Sequence, residues 1–139
     1  MNQMNFFYEN LLIIPFITFF LTVIWKGILI KIKTGKVEIS QSFGSWGMPS
    51  VHSSVVVSLA TAIALKHGIA SDYFALAITM TVIIIYDAIN VRYEAWLHAS
   101  AINTLLWKVK FKESLWHLPS EAFAGSMLWI FIATLMYYM

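Results

Sequence analysis

Four long apolar segments divide the chain, and the pattern of each is typical of a helix. They cover residues 11–30, 51–65, 73–86 and 122–139. A backbone in lipid must satisfy its own hydrogen bonds, and only a helix does so within one segment. The pattern therefore predicts an all-α integral membrane protein with about four transmembrane helices. Two segments are shorter than the roughly 20 residues that cross a bilayer, so we expect their ends to contact protein or the membrane interface.

The longest connector, residues 87–120, contains a fifth predicted helix. Residues 92–107 include no Gly or Pro and mix Trp and Leu with polar side chains, a pattern typical of a helix that lies at the membrane surface. We therefore expect a compact helical bundle of four spans and one interfacial helix. The length and pattern predict a single domain over residues 1–139.

The composition agrees with a membrane protein. Hydrophobic residues make up 60% of the chain and charged residues 12%, whereas soluble domains carry about 25% charged residues. The chain has no cysteine, which excludes disulfides, thiolate metal sites and a cysteine nucleophile. A nucleic-acid partner is not expected.

The basic residues fall almost entirely on one side of the predicted bundle. Eight of the nine lie near the end of the first apolar segment or follow the first or the third, whereas Lys66 follows the second. The positive-inside rule assigns the side with the eight to the cytoplasm, and their charge favours anionic headgroups. The eight are Lys26, Lys31, Lys33, Lys36, Arg92, Lys108, Lys110 and Lys112.

Six polar residues that are unusual in a membrane protein lie at this same side, at the ends of four different predicted helices. They comprise two imidazoles, two strong cations and two carboxylates. Charged groups at such a depth are costly, and they indicate function by default. The six are His52, His117, Lys26, Arg92, Asp87 and Glu121.

These residue types favour phosphoryl chemistry. A phosphate needs cations and N–H donors around its oxygens, and residues 47–50 at a helix start supply donors at the favourable end of the helix dipole. One imidazole can attack phosphorus while the other protonates the leaving alkoxide. Glu121 follows His117 by four residues, so its carboxylate can hold one ring nitrogen.

Three motifs in order carry a resemblance to a known family: GMPSVH at residues 47–52, Asp87 followed by Val91 and Arg92, and WHLPSE at residues 116–121. Together they resemble the divergent bacterial and plastid branch of the type 2 phosphatidic acid phosphatases, in the superfamily that includes the vanadium haloperoxidases. The resemblance extends from Lys26 to about Gly125. It implies a lipid phosphatase of the bacterial inner membrane that needs neither a metal nor another cofactor.

The resemblance also implies a role for individual residues. In the superfamily a Pro-Ser-x-His motif supplies the general acid, and a later His, supported by an acidic residue four positions on, becomes phosphorylated. His52 is then the acid, His117 the nucleophile and Glu121 its orienting carboxylate. Asp87 is either a further reacting group or a structural partner of a nearby cation. The expected phosphate ligands are Lys26, Gly47, Ser50 and Arg92.

This chain departs from the broader family in the spacing around the nucleophile. The usual pattern is Arg, five residues, His and, four positions later, Asp. Here a predicted surface helix separates Arg92 from His117, and a Glu replaces the Asp. His98 does have the five-residue gap, but Ile102, four positions later, cannot orient an imidazole. We therefore favour His117 as the nucleophile.

The predicted function is hydrolysis of a lipid phosphate at the cytoplasmic face. The leading substrate class is a glycerolipid phosphomonoester, such as phosphatidic acid or phosphatidylglycerophosphate. The alternatives are a polyprenyl diphosphate phosphatase and a non-enzymatic membrane protein that binds an anion or lipid without cleaving it. So small a scaffold is also compatible with a homodimer.

Overall fold

The computed structural model describes residues 6–36, 49–106, 110–111, 113 and 117–139. All secondary structure in these ranges is helical. The elements in chain order are α1 (Phe6–Glu9), α2 (Ile13–Thr34), α3 (Val51–His67), α4 (Asp72–Tyr86), a π-helix (Asp87–Val91), α5 (Arg92–Leu105) and α6 (Pro119–Tyr138).

The all-α fold predicted from the apolar segments is confirmed. Among the described residues, three helices are long and apolar enough to cross a membrane: α2, the continuous helix Asp72–Leu105, and α6. The fourth apolar helix, α3, is shorter, with 17 residues. Each predicted segment therefore corresponds to one helix of the structure.

The boundary between the third apolar segment and the predicted surface helix differs from the prediction. We expected a connector to begin at residue 87, but α4, the π-helix and α5 form one helix of 34 residues. The Arg92 N–H donates to the Asp87 carbonyl, a bond between residues five apart. A π-helix of this kind adds a residue to one turn without ending the helix.

Helix α3 is central in the bundle, since it packs against α2, α4 and α6. At one end of the bundle, Ile14 of α2, Ala62 of α3, and Ala133 and Met136 of α6 form an apolar cluster. Toward the other end the buried side chains become polar. These polar residues are Thr18, Thr22, Lys26, Ser50, Ser53, Ser54 and Ser58, together with His117. The interior of the bundle is therefore apolar at one end and contains the buried Lys26 and His117 toward the other.

Candidate active site

The start of α3 is fixed by the hydroxyl of Ser50. Its Oγ accepts a hydrogen bond from the Ser53 N–H at 3.4 Å and another from the Ser53 Oγ at 3.1 Å, and Ser54 Oγ donates to the Ser50 carbonyl at 2.6 Å. Ser50 therefore acts as the N-cap of α3, a position that serine favours. Both bonds to its Oγ are accepted ones, so its own O–H proton can still be donated.

Helix α6 approaches the start of α3 at Gly125. A Cβ built at Gly125 would lie 3.6 Å from both the Pro49 Cβ and the Ser50 nitrogen, in ordinary van der Waals contact. This contact brings the first turns of α3 and α6, which carry His52 and Glu121, to the same end of the bundle.

His117 is held just before α6 by its backbone and by a neighbouring carboxylate. Its N–H donates to the Ala88 carbonyl of the π-helix at 3.2 Å. Glu121 Oε2 accepts from the Leu118 N–H at 3.1 Å and lies 3.5 Å from His117 Nδ1. One carboxylate therefore both caps the start of α6 and faces the imidazole, as the spacing of four residues predicts.

The His117 ring is buried, with 1% of its surface exposed. Neither ring nitrogen has a hydrogen-bond partner among the described residues. Burial lowers the pKa of the imidazole from 6.5 to about 4; the Lys26 ammonium also lowers this pKa, while Glu121 opposes the decrease. The ring is therefore neutral near pH 7, and the contact of Nδ1 with Glu121 directs Nε2 away from the carboxylate.

Lys26 lies on the buried face of α2, where Thr18, Thr22 and Lys26 recur every fourth residue. Only 2% of its surface is exposed. Its charge acts on the imidazoles of both His52 and His117. The charge of a lysine on the first long helix thus reaches two histidines that come from other elements.

His52 occupies the first turn of α3 and is exposed. The charges of Arg92, Asp87 and Lys26 act on its ring, and its own charge acts on His117. The candidate site therefore has a buried part, formed by Lys26 and His117, and an accessible part around His52.

Asp87 and Arg92 form an ion pair, with Asp87 Oδ2 2.7 Å from Arg92 Nε. In an α-helix, residues five apart point about 140° away from each other, so such a pair would not meet. The π-helix brings the two side chains together. The bond uses Nε and leaves the two terminal guanidinium nitrogens to face other groups.

The structure brings most of the predicted site residues to one end of the bundle. Gly47 lies outside the described residues. His98 is exposed on α5 and is not among the groups whose charges act on His52 or His117. The residues that gather there are Lys26, Ser50, His52, Asp87, Arg92, His117 and Glu121.

Sequence reasoning missed the role of Asn103. Its Nδ2 donates to the Phe111 carbonyl at 2.8 Å and to Glu113 Oε1 at 2.7 Å, and its Oδ1 accepts from the Phe111 N–H at 2.7 Å. These bonds tie α5 to the segment that leads to His117. No spacing rule connects a helical Asn with a segment eight to ten residues later, so the sequence contained no signal for this contact.

Comparison with known proteins supports the resemblance seen in the motifs. Residues 7–132 match the Divergent PAP2 family. The chain is also similar to the uncharacterized membrane protein YuiD of Bacillus subtilis, with 32% identity over 74% of this chain and 78% of YuiD. No solved structure matches the chain. The matched region includes every candidate site residue.

Proposed function

Since the chain belongs to the Divergent PAP2 family, we propose that it is a membrane phosphatase that hydrolyses a glycerolipid phosphomonoester through a phosphohistidine. The family and the apolar helices establish a PAP2-related membrane protein. The substrate class and the chemistry are our proposal.

The first step is attack on phosphorus by Nε2 of His117. The neutral imidazole that burial favours carries a lone pair on Nε2 when Nδ1–H faces Glu121. A bond forms between Nε2 and phosphorus while the bond between phosphorus and the lipid oxygen breaks. The ring becomes positively charged, and the Glu121 carboxylate, 3.5 Å from Nδ1, stabilises that charge.

His52 is the general acid in this step. Protonated His52 donates its proton to the departing lipid oxygen, which leaves as an alcohol. In the second step water attacks phosphorus and gives a proton to the now neutral His52. The bond between Nε2 and phosphorus breaks, inorganic phosphate is released, and both histidines return to their starting states.

Lys26, Ser50 and Arg92 bind the phosphoryl oxygens in this proposal. The Lys26 ammonium and the Arg92 guanidinium supply positive charge, and the Ser50 O–H supplies one hydrogen bond. The ion pair with Asp87 holds the guanidinium in place, which favours a structural role for this carboxylate. Gly47, also predicted as a ligand, precedes the described start of α3.

One observation carries the proposal: a buried imidazole whose Nδ1 lies 3.5 Å from the Glu121 carboxylate, whose Nε2 has no hydrogen-bond partner among the described residues, and on which the charge of Lys26 acts. A buried unpaired polar group costs about 1–3 kcal/mol. Such a cost is reasonable where the second nitrogen must remain able to attack a substrate. His52 and Lys26, whose charges act on His117, are the other groups that the proposed reaction requires.

A second candidate function is anion binding without cleavage. Lys26, Ser50 and His117 are each at most 2% exposed, and such burial also suits a site that holds a phosphate group tightly. The two functions differ in one outcome, which is the release of inorganic phosphate.

The deciding experiment measures phosphate release from phosphatidic acid, phosphatidylglycerophosphate and a polyprenyl diphosphate by the purified protein in detergent. We expect His117→Ala to abolish turnover and His98→Ala, the matched control, to retain it. Rapid quenching with labelled substrate should trap phosphate on the wild type and not on His117→Ala. Binding without release by the wild type would establish the second function, and an active His117→Ala with an inactive His98→Ala would transfer the nucleophile to His98.

A further inference from the structure

An apolar groove of about 410 Å³ runs between α2 and α3. Phe16, Phe19 and Phe20 of α2 form one side, and Val55 and Leu59 of α3 form the other. The rings of Phe19 and Phe20 pack edge to face, with centroids 5.4 Å apart. Sites for small molecules are concave and mostly apolar, whereas this groove has almost no polar surface.

The groove lies on the helix faces that carry the candidate active site. On α3, Val55 and Leu59 follow His52 by three and seven residues, which places them on its side of the helix. On α2, Phe19 precedes Lys26 by seven residues, or about two turns. Both walls of the groove therefore extend toward the end of the bundle that carries His52 and Lys26.

The length of the groove fits one hydrocarbon tail in one leaflet. From Leu12, at its far end, to Phe20 the helix rises about 12 Å. The hydrocarbon of one leaflet is about 15 Å deep, half of a core of about 30 Å. A lipid whose headgroup lies at His52 and Lys26 would place its tail at this depth.

We propose that the groove between α2 and α3 binds one acyl chain of the lipid phosphate while the phosphate lies at His52 and Lys26. This inference rests on the proposed phosphatase function. It gives the substrate a direction of entry, from the lipid beside α2 and α3, and it leaves the second acyl chain of a glycerolipid in the bilayer.

A side chain that fills the groove tests the proposal. Leu59→Trp extends an indole between the two walls, and its matched control is Val82→Trp, an exposed position on α4 outside the groove. With dioleoyl phosphatidic acid in mixed micelles, Leu59→Trp should lower kcat/KM roughly tenfold relative to the control, a size typical of steric discrimination in an apolar pocket. With dihexanoyl phosphatidic acid the two variants should match. An equal effect on both substrates, or none, would overturn the proposal.

Phe16→Ala provides a second variant that does not threaten the fold, because Phe16 is 60% exposed. It removes part of one wall, so kcat/KM should fall severalfold for the dioleoyl lipid and stay unchanged for the dihexanoyl lipid. The same ratio of activities in Phe16→Ala and the wild type would contradict a tail-binding groove.

A photoactivatable acyl chain separates failure of the groove from failure of the phosphatase. Phosphatidic acid with a diazirine in one chain should crosslink to α2 and α3 between residues 12 and 20 and between residues 55 and 59. Crosslinks there without phosphate release would end the phosphatase proposal and retain the groove. Phosphate release with crosslinks scattered over the apolar surface would end the groove proposal alone, and preferential labelling by a polyprenyl phosphate probe would overturn the acyl chain as its occupant.

Discussion

At the scale of single residues, the proposed chemistry centres on His117. Its ring is buried beside a lysine, and both conditions disfavour the imidazolium form. Glu121 acts in the opposite direction and favours a positive charge on the ring. The residue is thus neutral at rest and has a carboxylate ready for the positive charge that attack on phosphorus creates.

The low pKa of His117 predicts a particular pH dependence. Protonation removes the Nε2 lone pair, so kcat/KM for a short-chain substrate should decrease as the pH falls through about 4. Lys26→Met removes a charge that lowers the pKa of His117, so the midpoint of this decrease should move upward, toward 6.5. Profiles of both proteins on the same substrate measure the shift, because titration of the substrate affects both alike. A midpoint that is unchanged or lower in Lys26→Met would show that Lys26 does not act on the nucleophile.

At the scale of secondary-structure elements, the π-helix joins two parts of the site. It pairs Asp87 with Arg92, and its Ala88 carbonyl accepts the His117 N–H. A regular α-helix over the same residues would direct the two side chains to different sides. The irregular turn therefore positions a cation and the proposed nucleophile together, and π-helices are frequent at functional sites.

Asn103 stabilises the same arrangement from α5, and its removal should affect catalysis more than folding. Asn103→Ala deletes three hydrogen bonds that hold residues 111 and 113, so the link between α5 and these two residues should be lost. We expect kcat to fall by roughly ten- to a hundredfold, as a misplaced catalytic group does, while KM changes less.

A matched control for this prediction is Thr104→Ala, the neighbouring exposed position, whose hydroxyl donates within its own helix, to the Ala101 carbonyl. Thermal unfolding of both variants in detergent reports the stability of the bundle. A kcat unchanged in Asn103→Ala, or a loss of kcat equal in both variants, would refute a positioning role.

At the scale of the whole molecule, the apolar segments predicted the helices well because lipid leaves a spanning backbone almost no other structure. Successive membrane helices run in opposite directions, so the sequence also predicted which helix ends would lie on the same side. His52, Lys26 and His117 do lie at the same end of the bundle. The continuous helix over residues 72–105 was not predicted. A π-helix is formed by bonds between residues five apart, and such bonds leave no periodic signal in the sequence.

The orientation of the bundle stays a prediction, and the absence of native cysteine makes it simple to test. Lys33→Cys, near the end of α2, should resist an impermeant thiol reagent in intact cells and react after permeabilisation, because the positive-inside rule places it in the cytoplasm. Ile69→Cys, in the exposed turn between α3 and α4, is the matched control and should react in intact cells. The reverse pattern would place the candidate site outside the cytoplasm.

The five-residue turn at Asp87–Val91 also bears on how the family tolerates insertions and deletions. Loss of a single residue there would restore ordinary helical geometry, and every following residue of α5 would rotate by about 100° and move back by about 1.5 Å. Arg92 would leave Asp87, and Asn103 would turn away from residues 111 and 113. A deletion that is harmless in a surface loop would here separate the proposed phosphate-binding cation from the proposed nucleophile, so relatives that share the proposed chemistry should keep the length of this helix even where its side chains differ.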